Sequence, residues 1–241
     1  MASLHLLVFL AAFLYLSSGQ DISFSNLSTS NSQVQNEIVN KHNALRRQVS
    51  PPASNMLRME WSPEAAKNAK AWADQCTLQH SSPEKRVTNT NCGENLFMSS
   101  SPNSWSNAIQ SWYDEVKDFT YGKGAKTANA VIGHYTQVVW YNSYQIGCSA
   151  AYCPNQPVFK YYMVCQYCPA GNNREKINEP YQRGTPCGSC KNACDKGLCT
   201  NPCKYENKWS NCEELKNSAT CNHPQVKSDC EASCKCTTEI K

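Results

Sequence analysis

The sequence predicts an α+β protein: a layered α-β-α or α+β domain followed by a small, disulfide-dense tail. Three observations carry this reading. Six of the 16 cysteines (Cys76, Cys92, Cys148, Cys153, Cys165, Cys168) are spread over the first 186 residues, and the other ten crowd into the last 55. Helical periodicity comes first along the chain, and stretches rich in β-branched and aromatic residues follow. The two kinds of element mix without a regular βαβ alternation. A chain of 241 residues has room for one ordinary domain and something small. An even cysteine count suits bridges in an oxidising compartment.

The elements are read in order. Leu6 to Leu16 is an apolar run of 11 residues, too short to span a bilayer. Ser17-Ser18-Gly19 follows, so residues 1–19 read as a signal peptide, although no Lys or Arg precedes the run. Residues 20–33 are Ser/Asn/Thr-rich and read as a mobile segment, in which Asn26-Leu27-Ser28 is an N-glycosylation sequon. From Val34 a helical face forms through Ile38, Leu45 and Val49, and Pro51-Pro52 ends it. Ser62-Pro63-Glu64 is a helix start with N-cap, proline and an acid in the first turn. That helix is expected to run to about His80. A third helix is expected from Ser104, with Trp105, Ala108, Ile109, Trp112 and Val116 inward. His134–Trp140 and Phe159–Cys165 read as strands. Residues 169–186 read as a connector, and no repeat or heptad occurs.

Charge excludes one large class. The net charge is +4, divided evenly on either side of Glu175, so there is no basic block to suit a nucleic acid. Certain polar residues fall where a core is expected. His80 shares the helical face of Ala69, Ala73 and Cys76, and Glu115 that of Ala108 and Trp112. His134 opens a strand, and Glu94 lies in a loop pinned by Cys92. An inward carboxylate is costly unless paired. Two imidazoles and two carboxylates from separate elements would suit a weak Zn²⁺ site or acid-base chemistry. A satisfied buried hydrogen-bond network is the structural alternative. No nucleophile accompanies the set.

Gly133-His-Tyr-Thr-Gln-Val-Val-Trp140 and Tyr162-Met-Val-Cys-Gln-Tyr-Cys-Pro-Ala-Gly-Asn172 resemble the two signatures of the CAP superfamily. Cys92-Gly-Glu-Asn-Leu96 and His42-Asn-Ala-Leu-Arg-Arg47 resemble further blocks of it. With the ten-cysteine tail, residues 34–241 resemble a mammalian cysteine-rich secretory protein. The resemblance implies an α-β-α sandwich over residues 34–175, a linker and disulfide-bonded hinge over 176–202, and a helical, channel-regulating module over 203–241. It implies a cleft tetrad of His80, Glu94, Glu115 and His134, with zinc on His80 and His134. It also implies the pairings Cys76–Cys153, Cys92–Cys168, Cys148–Cys165, Cys187–Cys194, Cys190–Cys199, Cys203–Cys236, Cys212–Cys230 and Cys221–Cys234.

The tail module holds six cysteines in 39 positions, and bridges replace a core that it is too small to form. Helix-compatible stretches lie at Cys212–Ser218 and Val226–Ser233. Its lysine–aromatic pairs, Lys204-Tyr205 and Lys208-Trp209, are the candidates for channel contact. Six Lys balance six Asp and Glu there, against simple electrostatic plugging of a pore. Cys187-Gly-Ser-Cys190 reads as part of the disulfide hinge rather than half a zinc ribbon.

The resulting expectation is a secreted, non-enzymatic protein. It would modulate a calcium-permeable or other cation channel, and dock on a cell-surface or gamete receptor or a secreted glycoprotein. The setting would be reproductive, exocrine or innate-immune. A sterol carrier, with Tyr161, Tyr162 and Tyr167 supplying a groove, and a metal-dependent hydrolase using the tetrad are the alternatives.

Overall fold

The computed structural model describes residues 23–241; the signal-peptide expectation for residues 1–19 lies outside them. A four-stranded sheet has the order β1 (Glu60–Trp61), β5 (Gln145–Tyr152), β6 (Tyr161–Cys168), β2 (Gly93–Ser99). β1 runs parallel to β5, and the other pairings are antiparallel. On one face lies α2 (Pro63–Ala73), whose Ala69 and Ala73 pack on Leu96, Ala151, Tyr162 and Val164. On the other lie α1 (Ser32–Arg47), α3 (Trp105–Tyr113) and α4 (Gly133–Val138), over Ile146, Met163, Cys165 and Tyr167. Successive β6 residues therefore feed opposite layers, as strand geometry requires. The short β3 (Phe119–Thr120) and β4 (Gly124–Ala125) pair outside this sheet.

Capping explains the helix starts. Asn31 accepts from Gln33 N, Ser62 from Ala65 N and Ser104 from Asn107 N. Several expectations are corrected. The described part of the segment before α1, residues 23–31, is not loose: Phe24–Leu27 forms a 3-10 turn, Leu27 is buried, and Trp105 Nε1 donates to Leu27 O at 3.0 Å. α2 stops at Ala73 rather than near His80. Cys76 is held by Cys153, and Cys76 and Leu78 take φ values of 53° and 57°, which no right-handed helix accommodates. His134–Val138 is helical, not extended. Glu115, itself in a 3-10 turn at Asp114–Asp118, accepts from His134 N at 2.9 Å and Tyr135 N at 3.0 Å, so a carboxylate occupies the amide end of α4. Glu94 lies in β2 rather than in a loop.

After β6 the chain stays on the domain. Tyr181 is buried, and Tyr141 N donates to Pro180 O. The hairpin β7 (Cys194–Asp195) and β8 (Leu198–Cys199) is annexed through Cys199 N to Met56 O, Arg58 N to Cys199 O and the buried Leu198. The tail contains α5 (Cys212–Ala219), α6 (Pro224–Asp229) and α7 (Glu231–Lys235). The stretch expected to be helical over Val226–Ser233 is thus broken at Cys230. Ile240 packs with Leu57, Cys187, Cys190 and Cys199, and Thr90 Oγ1 donates to Glu206. Eight bridges run Cys76–Cys153, Cys92–Cys168, Cys148–Cys165, Cys187–Cys194, Cys190–Cys199, Cys203–Cys236, Cys212–Cys230 and Cys221–Cys234.

Candidate functional site

Two imidazole–carboxylate pairs lie on either side of the edge strand β2. In the first, His80 Nδ1 is 3.0 Å from Glu94 Oε1. The helix that would have buried His80 ends early, so its side chain is 56% exposed while that of Glu94 is 1% exposed. Glu94 also accepts from Ser81 N at 2.9 Å and Ser81 Oγ at 2.8 Å. Arg86 stands 3.8 Å away and donates to Ser81 O. Burial alone would raise the Glu94 pKa, but the hydrogen bonds from His80 and Ser81 outweigh it and hold the carboxyl below its ordinary value. In the second pair, His134 Nδ1 is 2.6 Å from Glu115 Oε1, and both side chains are partly buried. Asn95, next to Glu94 but on the opposite face of β2, donates to His134 O at 3.1 Å.

Each carboxylate accepts only, so each engages an Nδ1–H and leaves Nε2 of the neutral ring with a free lone pair. Such orientation of an imidazole by a carboxylate is what a divalent-metal ligand needs. Gln166 is fully buried opposite Glu94, with Nε2 3.5 Å from Glu94 Oε2 and Oε1 without a partner among the described residues. Each imidazole is thus oriented by a carboxylate with Nε2 turned away from the pair, the donor chemistry that a divalent ion with water in its shell would use. Among the described residues only Cys187, Cys190 and Cys199 bring three potential ligand atoms within 4.8 Å, and these cysteines are bridged. The tetrad is thus two pairs, not a closed metal cage.

Neither pair places an imidazole on a serine or cysteine nucleophile among the described residues. Ser81 Oγ directs its proton to Glu94 rather than to an imidazole, and no cysteine is free among the described residues. Of the three tyrosines expected to line a sterol groove, Tyr162 and Tyr167 have no exposed surface and belong to the two core layers, whereas Tyr161 is partly exposed.

Behind the site runs a chain that sequence reasoning missed. His42, wholly buried, bonds Ile38 O through Nδ1 at 2.8 Å and Tyr167 Oη through Nε2 at 2.9 Å. A carbonyl can only accept, so Nδ1 carries the proton and Tyr167 donates to Nε2. Tyr167 Oη also lies 3.3 Å from Asn95 Nδ2. The chain ends on the backbone of His134. The signal was present in the spacing of Ile38, His42, Leu45 and Val49, which puts His42 on the apolar face. Beside it, Arg46 is buried with no carboxylate partner among the described residues. Its guanidinium donates to the carbonyls of Leu57, Val138, Trp140 and Tyr141, and burial pulls its pKa down to about 9.

In the tail module, Tyr205 is 45% and Trp209 54% exposed. Lys208 pairs with Asp229 at 2.7 Å, Trp209 Nε1 donates to the same carboxylate at 3.3 Å, and Lys235 stands over the Tyr205 ring at 4.2 Å. Lys208 is therefore a neutralised charge rather than a free one, and Lys204 is exposed.

An α-β-α sandwich with imidazole–carboxylate pairs beside an edge strand, joined to a disulfide-rich tail, defines a CAP-type protein. The profile of the CAP group, described as the cysteine-rich secretory protein family, matches residues 39–167, and the Crisp profile matches 187–241. The chain belongs to the cysteine-rich secretory protein family. It is 63% identical over 222 residues to cysteine-rich secretory protein 2 of Homo sapiens, covering 92% of this chain and 91% of that one. It is 55% identical over 243 residues to the cysteine-rich venom protein helothermine of Heloderma horridum horridum, covering all of both. A solved structure of NaASP2 with Zn²⁺ superposes with a TM-score of 0.55 at 30% identity, over 70% of this chain and 96% of that one.

Proposed function

We propose that the protein is a secreted, non-catalytic binding protein whose tail module modulates a cation channel, with the first domain docking it on a cell-surface or secreted partner. The observation that carries this reading is the surface of the module. Two large rings, Tyr205 and Trp209, stay exposed on a unit held rigid by three bridges, beside Lys204. Rigid, exposed aromatic side chains bind with little loss of entropy. The paired state of Lys208 favours contact with a channel's outer surface over insertion of that lysine into a pore.

The imidazole pairs supply a divalent-ion site in the docking domain, through Nε2 of His80 and His134. Bound there, an ion would add positive charge at the edge of β2. The likeness to NaASP2, described with Zn²⁺, supports this part of the reading. Secretion accords with the disulfide framework and with the names of the relatives. No helix among the described residues is long and apolar enough to cross a membrane. Calcium imaging of sperm and of cells expressing calcium-permeable channels, with the full chain applied outside, tests the reading. A reproducible calcium change supports it, and silence in every cell type contradicts it.

A further inference from the structure

We propose that Asn26 carries an N-linked glycan whose inner sugars lie on an aromatic cluster formed by the exposed Phe24 and Tyr152 and the partly exposed Tyr161. The sequon Asn26-Leu27-Ser28 is pinned to the fold at its centre. Leu27 is 2% exposed, while Asn26 and Ser28 on either side face solvent. Among the described residues nothing hydrogen-bonds the Asn26 side chain, which leaves its amide available. Phe24 sits on the same 3-10 turn, two residues before Asn26. Its ring is 6.2 Å from both Tyr152 and Tyr161, which are 5.3 Å apart across the β5–β6 pairing.

Two of these rings are open to water, Phe24 at 38% and Tyr152 at 49% exposed, and Tyr161 is partly exposed beside them. A groove of about 420 Å³ runs from Phe24 and Tyr152 past Ser28, Thr29 and Ser30, so both ends of the sequon's turn border it. Several aromatic rings exposed together are uncommon on a protein surface without an occupant. A pyranose offers one face of C–H groups, which is attracted to the negative face of an aromatic ring. A sugar tethered at Asn26 has a high effective concentration beside Phe24, so even a weak contact is populated.

The linkage itself balances simply. Asn26 Nδ2 displaces the pyrophosphate of a lipid-linked oligosaccharide at the first sugar's anomeric carbon. The C–N bond forms, the C–O bond to pyrophosphate breaks, and the amide loses one proton. A secretory-pathway oligosaccharyltransferase is the catalyst required.

The test uses the full chain secreted from mammalian cells, before and after enzymatic glycan removal. Glycopeptide mass spectrometry should place a glycan on Asn26. Hydroxyl-radical footprinting should show oxidation of Phe24 and Tyr152 rising several-fold on removal, with Tyr205 and Trp209 unchanged. Removal should lower Tm by about 2–4 °C, the shift expected for a contact of this size in a chain of this length. Phe24→Ser/Tyr152→Ser should erase that difference while Asn26 stays modified. An unmodified Asn26 would overturn the proposal. So would a footprint and Tm indifferent to glycan removal, or a second protein copy covering the rings in the glycosylated form.

Discussion

Titrating His42 should account for a large part of the protein's loss of stability in mild acid. The ring is wholly buried, its proton donated to Ile38 O and its other nitrogen filled by Tyr167. Burial is the main reason that its pKa falls from 6.5 to about 3, with Arg46 and Lys41 adding to the fall against the bond to Ile38. Below pH 6.5 the unfolded chain takes up a proton that the folded chain refuses. The contribution of His42 is therefore complete above pH 6.5 and is lost progressively as pH falls towards 3. At pH 4.5, two pH units below the unfolded value, the loss is about 3 kcal/mol, and it reaches about 4 kcal/mol near pH 3. Guanidinium unfolding followed by tryptophan fluorescence, with the bridges intact, measures this at pH 7 and pH 4.5. His42→Gln, whose side chain does not titrate, should be less stable at pH 7 and lose about 3 kcal/mol less than wild type over that interval. Equal losses in the two proteins would refute the reasoning.

Other consequences follow from single contacts. Glu94, held below its ordinary pKa of 4.5, contributes stability that is present above pH 4.5 and lost as pH falls below it. Glu94→Gln should therefore flatten the acid limb of the same unfolding series only below about pH 4.5; an unaltered limb would contradict the network around Ser81. A Cβ on Gly147 would lie 2.0 Å from Ala66 N and 2.7 Å from Ser62 O. Gly147→Ala should force α2 off the sheet, cost about 3 kcal/mol or more in chemical denaturation, and cut the secreted yield. Calorimetry with Zn²⁺ should give a binding heat that His80→Ala and His134→Ala each largely abolish. Glu115→Gln should weaken it about ten- to hundredfold; unchanged affinity in all three would make the pairs purely structural.

The sequence was legible where the local rules agreed. Ser62-Pro63-Glu64 announced α2 because cap, proline and dipole all favour the same start. The α1 and α3 faces were readable from periodicity because each buries a single side. Reading failed where tertiary context overrode propensity. The run after Gly133 is β-branched and aromatic, yet it forms α4, because Glu115 satisfies its amide end and nearly the whole turn is buried. A helix buried all round has no polar face to set its period. α2 was read too far because nothing local reveals that the Cys76–Cys153 bridge draws the chain away. The tetrad was recognisable by family motif, whereas the partners of His80 and His134 follow from strand pairing and helix-end geometry. Arg46 stood in plain view in its motif, but four carbonyl acceptors from distant segments cannot be read from composition.

The proposed function rests on binding surfaces rather than on chemistry, with Tyr205 and Trp209 as the proposed channel contact. Voltage-clamp recording on a responsive channel-expressing cell tests that placement most directly. Wild type, Tyr205→Ala/Trp209→Ala and His134→Ala would be applied at matched concentration. The expected result is a current change with wild type and His134→Ala that the double variant loses, with the double variant's thermal unfolding unchanged. A double variant that is folded and as effective as wild type would contradict the assignment of channel contact to those rings.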